Sequence, residues 1–360
     1  MKQAGVITFY DHPNYGAMLQ AYGLKCALEE LGCAVTFIRN AGKRNGEAPE
    51  TDRRQMVLEV LRHRRDVLQP PSKVFTDFVL RHFRTEELGN RQDADRRYDL
   101  FIAGSDQVWN MEITGPDPFW FLDFAPPEKR FSYAASFGVD CLPENRLSWY
   151  SEMLAGFAGL SVRETPGVKI VRELTGREAV LCPDPVLLPE RRVWENLMNP
   201  AEKAVVLYMT EFDADLCEYA GKDAEERGLP LVVTGNYRFP TADETVICTP
   251  ETWLGYIACA SALYTNSFHA LVFSRIFHKE LHIRPLVRMK NRNSRIFSFM
   301  ESMGEEPAEE ENRQGLFRLK GSGDREYWEE ADARLDELRN TGLTYLRNII
   351  DSRPEDMRRK

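Results

Sequence analysis

The chain has 360 residues, 43% hydrophobic and 29% charged, with a formal net charge of -9 at pH 7. That length exceeds one ordinary core and the composition is globular, which points to two lobes and away from disorder or a membrane-embedded fold. The acidic balance argues against long-range attraction to nucleic acid or anionic lipid, so no polyanion partner is expected, although a local basic cluster can still hold a small anion.

Gly5-Val6-Ile7-Thr8-Phe9-Tyr10 predicts a buried strand. A turn through Asp11-His12-Pro13-Asn14-Tyr15-Gly16 follows, then Met18, Leu19, Tyr22, Leu24 and Leu28 on one helical face. Gly32 closes that helix and Ala34-Val35-Thr36-Phe37-Ile38 resumes as a strand, so a β-α-β unit opens the chain and favours a parallel sheet. The charge-rich stretch 43–97, with Met56, Val57, Val60 and Leu61 as an amphipathic stripe, predicts a helical insertion.

Strands return at Leu100–Ala103, Phe131–Ala135, Gly159–Val162 and Ala179–Leu181, with helices after the second and third. A second alternating block begins at Ala204–Tyr208 and continues with Leu231–Thr234, Val246–Cys248, Leu263–Thr265 and Leu281–Ile283. Two successive blocks predict an α/β protein with two Rossmann-like, doubly wound lobes facing across a cleft. The linker falls near Leu188 to Lys203, between Pro189 and Pro200. The expected domains are 1–195, 196–322 and a helical segment with a solvated tail at 323–360, read as one long helix or two short ones.

Seven cysteines without a Cys-x-x-Cys pair read as reduced core thiols. The apolar run before Asp11 is too short for a signal peptide and no segment is long enough to span a bilayer, so a cytoplasmic protein without a transmembrane segment is expected. The six histidines are dispersed, and neither a metal nor another cofactor is expected. Self-association is left open.

The segment Ser261–Phe273 carries the strongest chemical signal. An apolar run reaches the polar turn Thr265-Asn266-Ser267 and delivers His269 into a helix-periodic stretch, a strand-to-helix corner with a titratable group on it. Such corners favour anions. His269 either does chemistry there or packs against its own helix. Asn14-Tyr15-Gly16-Ala17-Met18-Leu19-Gln20 forms a similar corner in the first block, where Asn14, Tyr15, Gly16 and Gln20 suit a phosphate or sugar; it matches neither the dinucleotide fingerprint nor the P-loop spacing.

Gly104-Ser105-Asp106-Gln107-Val108-Trp109-Asn110 gathers a hydroxyl, a carboxylate, amides and an indole directly after a strand. That set suits a hydroxyl-rich ligand held through Ser105, Asp106, Gln107 and Trp109; the other reading is a turn whose Trp109 plugs the core. Arg163 ends another strand with a fork suited to a carboxylate or phosphate, or else pairs simply with Glu164. Arg284 to Arg295, which includes Arg292, concentrates cations before a helix and is the best anion site among the basic clusters. Asp184, between two prolines, reads as a cap.

Taken in order, Asn14–Ala21, Gly104–Asn110, Ser132–Gly138, Ser161–Glu164, Asp184-Pro185 and Thr265–His269 resemble the polysaccharide pyruvyl transferase family, over a span reaching about Met300. The resemblance implies a GT-B-like fold and transfer of a pyruvyl group from phosphoenolpyruvate to a sugar as a ketal. His269 matches the family's catalytic histidine and Arg163 its donor-binding arginine. The first lobe would face the acceptor and the second the donor. Ser267 stands where the family carries an arginine, so the cluster Arg284–Arg295, through Arg292 or Arg295, replaces that charge, or the donor differs, or activity is absent. The alternatives are a nucleotide-sugar glycosyltransferase on the same scaffold and a non-catalytic member of the family.

Overall fold

Runs of β-branched and aromatic residues between amphipathic helices build parallel sheets, and both halves of this chain follow that rule. The computed structural model describes residues 1–40, 72–89, 91–235, 239, 241–288, 290–305, 308–309, 315–319 and 325–352. The described residues divide into two units, Met1–Glu50 with Val79–Pro189 and Glu337–Lys360, and Thr51–Phe78 with Glu190–Asp336.

The first unit is built on β1 (Lys2–Ile7), β2 (Cys33–Asn40), β3 (Thr85–Leu88), β4 (Leu100–Ala103) and β5 (Arg130–Ser132), all parallel in the order β3-β2-β1-β4-β5. A parallel pair, β6 (Ser161–Val162) and β7 (Val180–Leu181), continues it through bridges from Phe131 to Gly159 and from Ala135 to Val162. Helix Tyr15–Glu30 crosses from β1 to β2 with Met18, Leu19, Leu24 and Leu28 buried, as their spacing predicts.

Gly23 lets this helix meet the turn Pro185–Leu187. A Cβ there would lie 2.3 Å from the Pro185 carbonyl oxygen, a backbone atom with little freedom to retreat. The Gly23→Ala variant is therefore expected to lose about 1–3 kcal/mol through overpacking, despite alanine's better helix propensity. Urea unfolding measures this, and an unchanged midpoint would refute the close approach.

The second unit repeats the plan with β8 (Val205–Tyr208), β9 (Leu231–Thr234), β10 (Glu244–Val246), β11 (Ala262–Thr265), β12 (Leu281–Ile283), β13 (Ala308–Glu309) and β14 (Phe317–Leu319), ordered β10-β9-β8-β11-β12-β14-β13. The first five are parallel and the last two antiparallel. Helices Ala214–Arg227, Pro250–Cys259 and Phe268–Ile276 follow β8, β10 and β11. One helix, Arg325–Asp351, ends the described chain.

Two features differ from the sequence expectation. Strand β3 falls inside the segment expected to be helical; its residues Thr85-Glu86-Glu87-Leu88 alternate between exposed and half-buried, the pattern of a charged sheet edge, and two glutamates read as helix formers. The antiparallel strands β13 and β14 are too short to register as a periodicity. The stripe Met56–Leu61 and the tail beyond Ser352 lie outside the described residues.

Candidate functional site

In an open parallel sheet, neighbouring loops diverge where the strand order reverses, and ligands settle there at the carboxyl ends. The reversal lies between β1 and β4 in the first unit and between β8 and β11 in the second. The polar side chains gather at both points.

In the first unit, one buried network joins the loops after five strands. Thr8, after β1, donates to the Ser105 carbonyl at 2.8 Å and accepts from Gln20 Nε2 at 2.8 Å. Ser105 Oγ donates to the Ala134 carbonyl at 2.9 Å. Asp106 accepts from the Gln107 amide at 2.9 Å and from Arg163 Nη2 at 3.3 Å, while Arg163 Nη1 reaches Asp184 at 2.7 Å and its Nε lies 3.6 Å from Glu164. Ser136 Oγ donates to Glu164 at 2.5 Å. Burial works against the Arg163 charge, yet Asp106, Asp184 and Glu164 outweigh it and hold the guanidinium charged, above its ordinary value.

This geometry redefines several expected contacts. The Arg163 side chain is 2% exposed and set among three carboxylates, so an incoming anion would meet surplus negative charge. Its fork is engaged by Asp106 and Asp184. Trp109 has no exposed surface: its ring stacks on Phe121 at 5.5 Å and packs against Phe137 and Phe157, so it plugs the core and offers no face to a sugar. Gln20 and Ser105 are likewise fully buried and Tyr15 is 2% exposed; they hold the loops. Gly16 is buried in the first turn of its helix. Asn14 caps that helix through the Ala17 amide at 3.0 Å and is half-buried, while Asp106 and Gln107 each keep 7% exposure. Asp184 caps the turn Pro185–Leu187 by accepting from the Val186 amide.

Asn266 organises the second unit's reversal point. Its Oδ1 accepts from the Thr210 amide at 2.8 Å and from the Thr210 hydroxyl at 3.2 Å, and its Nδ2 donates to the Glu211 carbonyl at 2.6 Å. One side chain thus braces the loop after β11 against the loop after β8. Thr265 Oγ1 donates to the Tyr208 carbonyl at 2.7 Å and accepts from the Ser267 amide at 3.0 Å. Ser267 then caps helix Phe268–Ile276, which places His269 in its first turn with 6% exposure.

A cation stands close by. The Arg295 guanidinium lies 5.7 Å from the ring centre of Phe268, the residue before His269. Arg292 ends the short turn Lys290–Arg292 before helix Ser294–Ser302. Arg284, in contrast, is spent on Asp213 at 2.5 Å and Asp215 at 2.8 Å. The structure therefore groups Ser267, His269 and Arg295 in one unit, and Asn14, Asp106, Gln107 and Arg163 in the other.

Two polar residues were not singled out from the sequence. Half-buried His12 lies in the loop after β1; burial lowers its pKa and the Asp106 carboxylate partly restores it. Glu211, 8% exposed, accepts from the Arg288 amide at 3.0 Å beside the Asn266 brace. His12 belongs to the same turn as Asn14 and was legible there; Glu211 becomes visible only once β8 and β11 are paired.

The profile of one family, polysaccharide pyruvyl transferase, matches residues 14–282. A search of curated proteins found no match. Among solved structures, Phytolacca americana UGT2 complexed with UDP-2fluoro-glucose and pterostilbene is similar with a TM-score of 0.50 at 9% identity, over 97% of this chain and 99% of that one. UDP-GlcNAc 2-epimerase from Neisseria meningitidis bound to UDP-GlcNAc gives 0.46 at 8% identity, over 98% and 100%. MurG from Acinetobacter baumannii gives 0.42 at 8% identity, over 97% and 92%. At 9% identity the likeness to UGT2 concerns fold alone, and it agrees with two Rossmann-like units of the GT-B type.

Proposed function

This chain belongs to the polysaccharide pyruvyl transferase family, and from that premise we propose that it moves the pyruvyl group of phosphoenolpyruvate onto two hydroxyls of a sugar, as a ketal, in the assembly of a cell-surface polysaccharide or glycan. The observation that carries this reading is His269 in the first turn of a helix at the second unit's reversal point, with Ser267 capping that helix and Arg295 one residue's ring away.

The chemistry follows from the donor. His269 gives its proton to the methylene carbon of the enol ester, leaving positive charge on the neighbouring carbon. One sugar hydroxyl attacks that carbon, phosphate departs, and a second hydroxyl closes the ketal. Two protons leave the sugar for one gained by carbon; one restores His269 and the other leaves with phosphate. The helix N-terminus, Ser267, Arg292 and Arg295 offer donors to the phosphate and carboxylate. Asn14, Asp106 and Gln107 are the assigned acceptor contacts, with Arg163 and Asp184 positioning Asp106.

Incubation of the purified protein with phosphoenolpyruvate and lipid-linked or nucleotide-linked glycans is expected to release phosphate in an acceptor-dependent way. Calorimetric binding of uridine diphosphate without phosphoenolpyruvate would instead establish a nucleotide-sugar enzyme. Binding of neither would leave a non-catalytic member of the family.

A further inference from the structure

Glu211 is a buried carboxylate with no part in the chemistry above. In the same unit, Asp213 is paired with Arg284 at 2.5 Å and the Glu305 carboxylate with Arg275 at 3.0 Å. Glu211, 8% exposed in the loop after β8, is held differently. Its Oε1 accepts from a neutral group, the Arg288 amide, at 3.0 Å, and its Oε2 is buried with no hydrogen-bond partner among the described residues. A carboxylate oxygen is costly to bury unmet, so such an atom at a ligand-binding corner points to a donor that arrives with the ligand.

Two hydrogen bonds set this side chain at the His269 corner. The sheet order runs β8-β11-β12 and all three strands are parallel, so β11 has the loop after β8 on one side and the loop after β12 on the other. Glu211 is tied to both neighbours: its carbonyl accepts from Asn266 Nδ2 at 2.6 Å, and its Oε1 accepts from the Arg288 amide. The side chain therefore reaches across the carboxyl end of β11, where Ser267 begins the helix that carries His269. One oxygen is fixed by the backbone, and the other is left to accept.

Given the pyruvyl transfer proposed above, on which this role rests, we propose that Glu211 is its general base. His269 protonates the methylene carbon, and the first sugar hydroxyl bonds through its oxygen electron pair to the neighbouring carbon while Glu211 Oε2 takes the hydroxyl proton. The carboxylate's charge also offsets the positive charge that protonation leaves on that carbon. Phosphate then departs with the electron pair of its bond to carbon, and it takes up the proton of the second hydroxyl as the ketal closes. The proton on Glu211 passes through solvent and restores His269, so two protons leave the sugar and both are accounted for.

Phosphate release by the full chain, with phosphoenolpyruvate and a panel of lipid-linked and nucleotide-linked glycans, tests this role. Glu211→Gln keeps the shape and an oxygen for the Arg288 amide but cannot take a proton, so kcat should fall at least about a hundredfold. Calorimetric binding of phosphoenolpyruvate by this variant should be no weaker, because a negative charge has gone from beside an anion. Glu211→Ala should be as slow, and added formate, a carboxylate small enough for the space left by the side chain, should raise its rate at least about tenfold. Thermal unfolding of both variants reports whether the fold is intact. If the unmodified protein releases phosphate and the glutamine variant matches its rate, the base role is overturned while pyruvyl transfer stands. Formate that restores nothing, or loss of donor binding in the glutamine variant, would make Glu211 a brace for its loops and overturn the role as well. An unmodified protein that releases no phosphate from phosphoenolpyruvate would overturn the reaction itself, and this role with it.

Discussion

Replacing His269 with alanine is expected to lower phosphate release from phosphoenolpyruvate by about a hundredfold to ten-thousandfold, the span over which a positioned general acid acts. The donor should still bind, because Ser267, the helix N-terminus and Arg295 remain. A calorimetric titration with phosphoenolpyruvate separates the two effects. His269→Gln, which keeps much of the volume and a hydrogen-bonding group but cannot deliver the proton, should be as slow as the alanine variant. Because His269 is 6% exposed, a cavity could also unsettle the helix, so the alanine variant's unfolding midpoint must be measured alongside. Full activity in the glutamine variant would remove the imidazole from the chemistry and return it to a packing role.

The second large effect lies in the other unit and concerns stability. Arg163→Leu is expected to cost about 3–5 kcal/mol in urea unfolding, the usual penalty for withdrawing one partner from a buried ion cluster. The cause is the residue's company: Asp106, Asp184 and Glu164 lie within 3.6 Å of its nitrogens, and without the guanidinium three carboxylates face one another in a poorly hydrated place. Lowering the pH should shrink the deficit relative to the unmodified protein, since protonation removes the charges that lost their counter-ion. Arg163→Lys should recover part of the loss through its charge but not the fork that reaches Asp106 and Asp184 together. A leucine variant as stable as the original would refute this counter-ion role.

The alternation of apolar runs with helical stripes was legible because each strand and each crossover is a local pattern; Leu100–Ala103, Leu231–Thr234 and Leu281–Ile283 appear in the structure with those bounds. The corner at His269 was legible for the same reason, its cap Ser267 and its strand β11 being contiguous. What could not be read is whatever depends on distant partners. Arg163 finds Asp184 21 residues away and Asp106 57 residues away, so its saturation emerges only when β4, β6 and β7 deliver their ends to one place. Trp109 reads as a platform because its loop carries Ser105, Asp106, Gln107 and Asn110; the aromatic shell that encloses it comes from Phe121, Phe137 and Phe157. Strand β3 escaped notice because a charged edge strand has no apolar signature to offer.

The brace made by Asn266 carries a kinetic consequence. Its hydrogen bonds to Thr210 and Glu211 tie together the two loops flanking His269. On the function proposed above, a donor anion meets loops whose backbone is already braced, and little ordering entropy is subtracted from its affinity. On that reading, encounter is governed by diffusion more than by loop rearrangement.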